Sequence, residues 1–236
     1  MQKTREILQA VSVAYKAFQK GFAFGKSSDE LFAVFEHSLK ETLGEYETVY
    51  DYIWGKDSLH IDGVTKNYIP KVGDTLIMDI SVGKDGVWCD VCRTFFVGEP
   101  TEEQRQVFEM IRRSLRKGQE ALKVGAKASD VYREVDGVYA LNGKKLVHHA
   151  GHRIGEKPLL QPQFLEGNET LLVAGEIYTV ESGLYEKFGV RLENDYYLTD
   201  EKAIDLFEDL LPLKIEEYII NERIVERTFF RFNDAV

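Results

Sequence analysis

Cysteine is nearly absent: only Cys89 and Cys92 occur in 236 residues, so no disulfide framework supports the fold. A Cys-x-x-Cys pair can instead mark redox chemistry or half a zinc site. No second pair exists, and along a strand positions i and i+3 point to opposite faces, so neither use is expected. Basic residues are also short, 30 Lys and Arg against 40 Asp and Glu, for a formal charge of −10. That balance excludes a non-specific nucleic-acid surface, which needs clustered cations. The N-terminus, Met1 to Phe18, lacks an apolar run long enough for export or a membrane span. A cytoplasmic protein is expected. What the chain does have is 44% hydrophobic and 12% aromatic residues, ample for a packed core. Its length suits one domain over residues 1–236, with a C-terminal extension from about residue 201.

Helix signals come first. An amphipathic pattern runs from Thr4 to Gln19, and Ser27-x-x-Glu30 has the form of a capping box opening a second helix that Gly44 closes. A β-rich stretch from Thr75 to Gly98 turns at Gly83-Lys84-Asp85-Gly86. The same order then recurs. Thr101-x-x-Gln104 caps a helix to about Lys123, Ser129-Asp130 opens another, and Glu176 to Thr199 reads as two strands around Glu186-Lys187-Phe188-Gly189. Asp79 lies 102 positions before Glu181, and Asp90 lies 103 before Glu193. The pattern predicts two helix-helix-hairpin halves, each contributing a pair of acids at a matching place.

Strand parity tests whether those acids converge. Asp79 and Asp90 share a face for any even-length loop, and a two-residue Lys84-Asp85 loop would set them directly opposite. Glu181 and Glu193 need an odd loop, and three residues ending in Gly189 would serve. Arg191 and Asp195 then share the face of Glu193. Solvent-facing acids are the plain alternative, but Asp79 sits inside Leu76-Ile77-Met78-Asp79-Ile80, a run that looks buried on both faces. Buried acids need cations or donors. Four converging carboxylates would repel one another, and two divalent ions would neutralise them. Oxygen-rich sites with one imidazole suit Mn, Co, Fe or Zn.

Five histidines complete the inventory. His37 fits the pattern of the second helix, and His60 alone is uninformative. His148-His149-Ala150-Gly151-His152 is denser. Gly151 and Gly155 argue against a helical zinc pair there, whereas a strand would put His148, Ala150 and His152 on one face.

Taken together these residues resemble a known family, the pita-bread metallohydrolases: prolidase, Xaa-Pro aminopeptidase and methionine aminopeptidase. Gly73 to Asp79 resembles the family's GD…D strand, and Asp90-Val91-Cys92-Arg93-Thr94 its D-x-T-R-T strand. His148 to Gly155 resembles H-x-x-G-H-x-x-G, Thr179 to Tyr185 resembles T-x-E-P-G-x-Y, and Arg191 to Asp195 resembles R-x-E-x-D. The short interval from Glu181 to Glu193 is similar to that of the proline-handling branch. The resemblance implies an α+β pita-bread fold, two pseudo-symmetric helix-helix-hairpin halves around a curved antiparallel sheet, and a dinuclear exopeptidase acting on short peptides, X-Pro peptides among them, with two divalent ions of which Mn is favoured. It implies that Asp79 chelates one ion, that Asp90 and Glu193 bridge both, and that His152 and Glu181 complete the coordination of the second ion. Glu181 would double as general base toward the attacking water, His60 and His148 would contact substrate, and Arg191 would orient the carboxylates from behind.

The chain also departs from that pattern. Leu159 stands where the family carries another His, seven residues after His152, and no His follows His152 anywhere. In the family that His donates a hydrogen bond to the reacting carbonyl oxygen, and losing such a donor costs about 10²–10³ in turnover. Cys92 replaces Thr, and Ser182 replaces Pro. The stretch before His60 is expected to hold only the catalytic domain's own helices and not the extra N-terminal domain of the proline-handling branch. The segment after Asp200 is expected to pack on the core or to form the contact of a homodimer. Two other functions compete with the exopeptidase: hydrolysis of a non-peptide C–N bond, which the retained metal ligands disfavour, and ligand or metal binding without turnover, which Leu159 favours.

Overall fold

In a computed structural model, which describes residues 1–221, the helices form where the caps predict. Helix α1 spans Gln2–Gly21 and α2 spans Ser28–Leu43. Ser27 accepts from the Glu30 backbone N–H while Glu30 accepts from that of Ser27, the reciprocal capping box. Thr101 and Gln104 do the same for α3, Glu102–Ala121, which ends two residues earlier than expected. Helix α4 covers Ala128–Leu141, and its first turn is held by Asp130, whose carboxylate accepts from the Lys127 N–H. No helix among the described residues is long and apolar enough to cross a membrane.

One nine-stranded sheet carries the rest. Its strands are β1 (Glu47–Trp54), β2 (Thr75–Lys84), β3 (Val87–Val97), β4 (His152–Ile154), β5 (Leu160–Gln163), β6 (Ile177–Tyr185), β7 (Gly189–Leu198), β8 (Ala203–Asp205) and β9 (Ile219–Ile220). The order is β1-β2-β3-β7-β6-β4-β5, with β8 beside β7 and β9 beside β3. Strand β1 was not expected from the sequence. Its alternation is legible afterwards: Tyr52 and Trp54 are buried in the main core, while Val49, Asp51 and Ile53 take the other face. The same alternation divides β2. Leu76, Met78, Ile80 and Val82 join the core beneath the helices, and Ile77, Asp79 and Ser81 face the opposite way. Tyr15 of α1 fixes that packing by donating its hydroxyl to Met78 O at 2.8 Å.

Both hairpins correct the predicted turns. Lys84 pairs with Val87, so the loop is Asp85-Gly86 rather than Lys84-Asp85. Both loop residues have positive φ, 52° and 74°, the backbone of the Asp-Gly turn that matches strand twist. Asp79 therefore pairs with Cys92, and Asp90 with Ser81; the two acids share a face but sit diagonally. In the second hairpin Tyr185 pairs with Gly189, the loop is 186–188, and Glu181 lies directly opposite Glu193. Gly189 is a strand residue. A Cβ there would fall 1.9 Å from the Ser58 carbonyl oxygen, so the glycine makes room rather than a turn.

The described part of the C-terminal segment packs on the core. Leu206, Phe207, Leu211, Leu213, Ile215 and Tyr218 are buried. Arg93, fully buried, ties them down: Nε donates to Tyr218 Oη at 2.8 Å and Nη2 to Leu211 O at 3.0 Å. Its guanidinium also lies 4.7 Å from the Phe207 ring centroid, a contact worth about 0.5–2 kcal/mol. Residues 222–236 of the expected extension lie outside the described residues.

Candidate metal centre

The two hairpins meet along β3 and β7, where backbone pairing thins to one bridge, Cys92 to Glu193. Side chains hold the seam instead. Thr94 Oγ1 accepts from Arg191 N and donates to Arg191 O, both at 2.8 Å, while Asp195 Oδ2 accepts from Asp90 N at 3.1 Å. Asp195 is buried, and that burial pushes its carboxyl up.

Across this seam the acids gather. Ligand atoms of Asp90, His152 and Glu193 lie within 4.8 Å of one another, all three residues buried. His152 Nε2 is 3.7 Å from Asp90 Oδ2 and 3.9 Å from Glu193 Oε1. Its other nitrogen, Nδ1, is 3.0 Å from Arg153 O, so a proton there donates to that carbonyl and turns the Nε2 lone pair to the acids. His148 and Ala150 do not share a strand with it as predicted, because the strand begins only at His152. Gly151 breaks it. At φ 129° this residue presses against Thr179, whose carbonyl oxygen would be 2.2 Å from a Cβ.

Asp79 and Glu181 stand beside this trio and share one cation. Arg191 Nη2 is 2.9 Å from Asp79 Oδ2 and 2.7 Å from Glu181 Oε2, while Nη1 lies 3.6 Å from Asp51 Oδ2 and donates to Ile61 O at 3.2 Å. His149 Nδ1 lies 2.7 Å from the other Glu181 oxygen, and His148 Nδ1 is 3.4 Å from Oε2. Burial opposes ionisation of Glu181, yet Arg191, His149 and His148 hold its carboxyl well below the usual range. The remaining acids go the other way. Burial, then the charges of Asp51 and Glu181, push Asp79 up to about 7 against the pull of Arg191. Burial and neighbouring carboxylates likewise raise Asp90 and Glu193 well above their ordinary values.

This arrangement fits divalent ions. Asp90 Oδ1 and Glu193 Oε1 are buried with no hydrogen-bond partner among the described residues, and an unpartnered buried carboxylate oxygen is costly. Carboxylates with one imidazole are the donor set of a hard or borderline dication. A cleft of about 170 Å³ opens over them, lined by these acids together with Val49, Pro158 and Leu159. Ile53, Ile77 and Cys92 form a small apolar cluster on the same side of the sheet. Cys89 faces the helices, so the two free thiols diverge as strand parity requires.

Two cleft residues escaped sequence reasoning. Asp51 was hidden because β1 was not read, although it pairs directly with Asp79. His149 was visible as half of a His-His doublet, but nothing in the spacing said which half reaches the acids. His60, by contrast, is exposed on the loop that follows the 3-10 turn Gly55–Leu59 and does not line the cleft.

With that geometry in hand, comparison with known proteins is decisive. The profile of Metallopeptidase family M24 matches residues 2–200. The chain belongs to that family. The Xaa-Pro dipeptidase of Pyrococcus furiosus is 27% identical over 215 residues, 85% of this chain and 61% of its own length. The Xaa-Pro dipeptidase of Lactobacillus delbrueckii is 30% identical over 199 residues, 78% and 53% respectively. Among solved structures, prolidase from Pyrococcus furiosus superimposes with a TM-score of 0.82 at 25% identity, covering 87% of this chain and 63% of that one. Dipeptidase PepE from Mycobacterium ulcerans gives 0.86 at 22% identity, covering 93% and 60%. The fold is therefore the pita-bread fold of the M24 family. The chain spans little more than half the length of these relatives.

Proposed function

We propose that this M24 chain is a metal-dependent exopeptidase that removes the N-terminal residue of short peptides, with X-Pro peptides as the leading substrates. The observation that carries this reading is the buried convergence of Asp90, His152 and Glu193 within 4.8 Å, flanked by Asp79 and Glu181. Asp79, Asp90, His152, Glu181 and Glu193 would hold two divalent ions, Mn favoured. Such ions polarise a scissile carbonyl and acidify water. Glu181, held ionised, is the group that accepts a proton from the attacking water. Arg191 orients Asp79 and Glu181 through its two short contacts. His148 does not line the cleft; burial pushes its imidazole down to about 4, and it is assigned, neutral, to support Glu181 at 3.4 Å rather than to touch substrate. His60 is assigned to the rim, beside the Ile61 carbonyl that binds Arg191. The expected compartment is the cytoplasm.

Purified protein should contain a divalent metal by elemental analysis and, with added Mn, release the first residue of X-Pro dipeptides. Asp90→Ala should lower metal content and reduce turnover by at least about 10³-fold, as loss of a group acting within a catalytic unit does. No cleavage anywhere in a panel of di- and tripeptides, by a metal-replete protein, would overturn the reading. One observation favours a second reading, a protein that binds peptide without turnover: Leu159 is half-exposed on the cleft wall where a proton-bearing side chain would serve hydrolysis.

A further inference from the structure

Strand β1 forms one wall of the cleft and brings to it an acid that the metal centre does not use. Val49 and Asp51 lie on the same face of the strand, and both line the cleft. Oδ1 of Asp51 accepts from Gly63 N at 2.8 Å, which fixes the carboxylate. Oδ2 is left over. It stands 3.6 Å from Arg191 Nη1, beyond hydrogen-bond reach, on a side chain that is 25% exposed.

The surrounding charge favours a cation at that oxygen. Arg191 is committed elsewhere: Nη2 lies 2.9 Å from Asp79 and 2.7 Å from Glu181, and Nη1 donates to Ile61 O at 3.2 Å. Asp62, in the loop that carries Gly63, is close enough to Asp51 for the two carboxylates to repel each other. Distance decides which part of a peptide supplies the cation. Strand β1 lies two strands out from β3, so Asp51 stands roughly 10 Å along the sheet from the strand of Asp90. A terminal ammonium sits one carbon from the scissile carbonyl and does not bridge that gap. A Lys or Arg side chain does, with its charged head at Asp51 and its aliphatic stem along Val49, which is 57% exposed.

We propose that Asp51 determines specificity by binding the cationic side chain of a Lys or Arg at the first position of the peptide, so that basic X-Pro peptides are the preferred substrates. This assignment rests on the exopeptidase reading, and its test separates the two. Lys-Pro is compared with norleucine-Pro, which keeps the aliphatic stem and loses the charge. Turnover of both is measured with Mn-loaded protein. Reduced-amide analogues of the same two dipeptides, which cannot be hydrolysed, report binding by calorimetry, with metal content followed in parallel.

The wild type should favour Lys-Pro in kcat/KM by about tenfold, mostly through KM, as suits a charge-assisted bond partly open to solvent. Added salt should shrink that ratio. In Asp51→Asn, which can still accept from the Gly63 N–H, the ratio should collapse to near one, and the two analogues should bind alike. Asp51→Glu, which keeps the charge, should keep the preference and guards against a folding defect. An equal fall on both substrates in Asp51→Asn, or loss of metal, would reduce Asp51 to a support for Arg191 and overturn the assignment. A wild type that cleaves both dipeptides equally well would also overturn it, while leaving the exopeptidase reading intact. If the wild type cleaves neither but binds the Lys analogue more tightly, the exopeptidase reading fails and the cation site stands. If it binds neither analogue, both fail.

Discussion

The two hairpins present equivalent acids by different geometry. In the first, a two-residue turn leaves Asp79 and Asp90 diagonal, where Cβ atoms stand roughly 7 Å apart. In the second, a three-residue loop sets Glu181 directly opposite Glu193, roughly 5 Å apart. Neither hairpin makes a cation site alone. Asp90 of the first half meets Glu193 of the second, and Asp79 of the first shares Arg191 with Glu181 of the second. The site belongs to the seam. Strand parity put the acids on one face, and the near-absence of backbone pairing between β3 and β7 let the sheet close them together, with Thr94 and Asp195 doing the joining.

The largest effect that would sharpen this contrast comes from removing metal. Three of the seam acids, Asp79, Asp90 and Glu193, have carboxyls raised by burial; only Glu181 is held low. A raised carboxyl binds more protons folded than unfolded, so stability is full below the unfolded value near 3.8 and is lost as pH rises through about 7. For Asp79 alone that loss is about 4 kcal/mol, partly offset below about pH 6.5 by His148, whose imidazole burial pushes down to about 4 so that its contribution grows as pH rises. Chelator-treated protein should therefore melt at a higher temperature at pH 5 than at pH 8. Added Mn at 100 times its dissociation constant should return about 2.7 kcal/mol at pH 8. A flat melting profile from pH 5 to 8 would show that the acids are not mutually strained.

The sequence discloses those parts of the fold and site that local rules determine. Caps at Ser27 and Thr101 declare their helices, and the 102- and 103-residue offsets announce two hairpins with paired acids; the pita-bread sheet follows from the family resemblance. Register was harder. The tetrapeptide Gly83 to Gly86 permits loops offset by one residue at each side, and only the αL preference of Asp-Gly selects Asp85-Gly86. Strand β1 was lost because the charges in Glu47-Thr48-Val49-Tyr50-Asp51 mask its alternation, and Asp51 was lost with it. His149 could not be separated from His148, since a positive-φ glycine two residues on redirects the chain after the doublet.

The glycines at the two hairpins differ as the hairpins do, and substitution should expose it. Gly189→Ala meets no backbone strain but drives a Cβ to 1.9 Å from Ser58 O and 2.8 Å from Ile77 Cδ1. The 3.0 Å bond from Gly189 N to Ser58 Oγ pins the strand against that oxygen. Overpacking against fixed backbone should cost about 3 kcal/mol. Gly86→Ala has the opposite balance. Nothing lies within 4 Å of its Cβ, but φ is +74°, so only conformational strain of about 1 kcal/mol is expected. Asparagine separates the two causes. At residue 86 it tolerates positive φ and should recover about half the loss, whereas at 189 the larger side chain should cost more than alanine. Denaturant midpoints at constant m-value measure all four variants. Equal costs at both positions would mean that crowding at Gly189 and backbone conformation at Gly86 do not distinguish the two glycines.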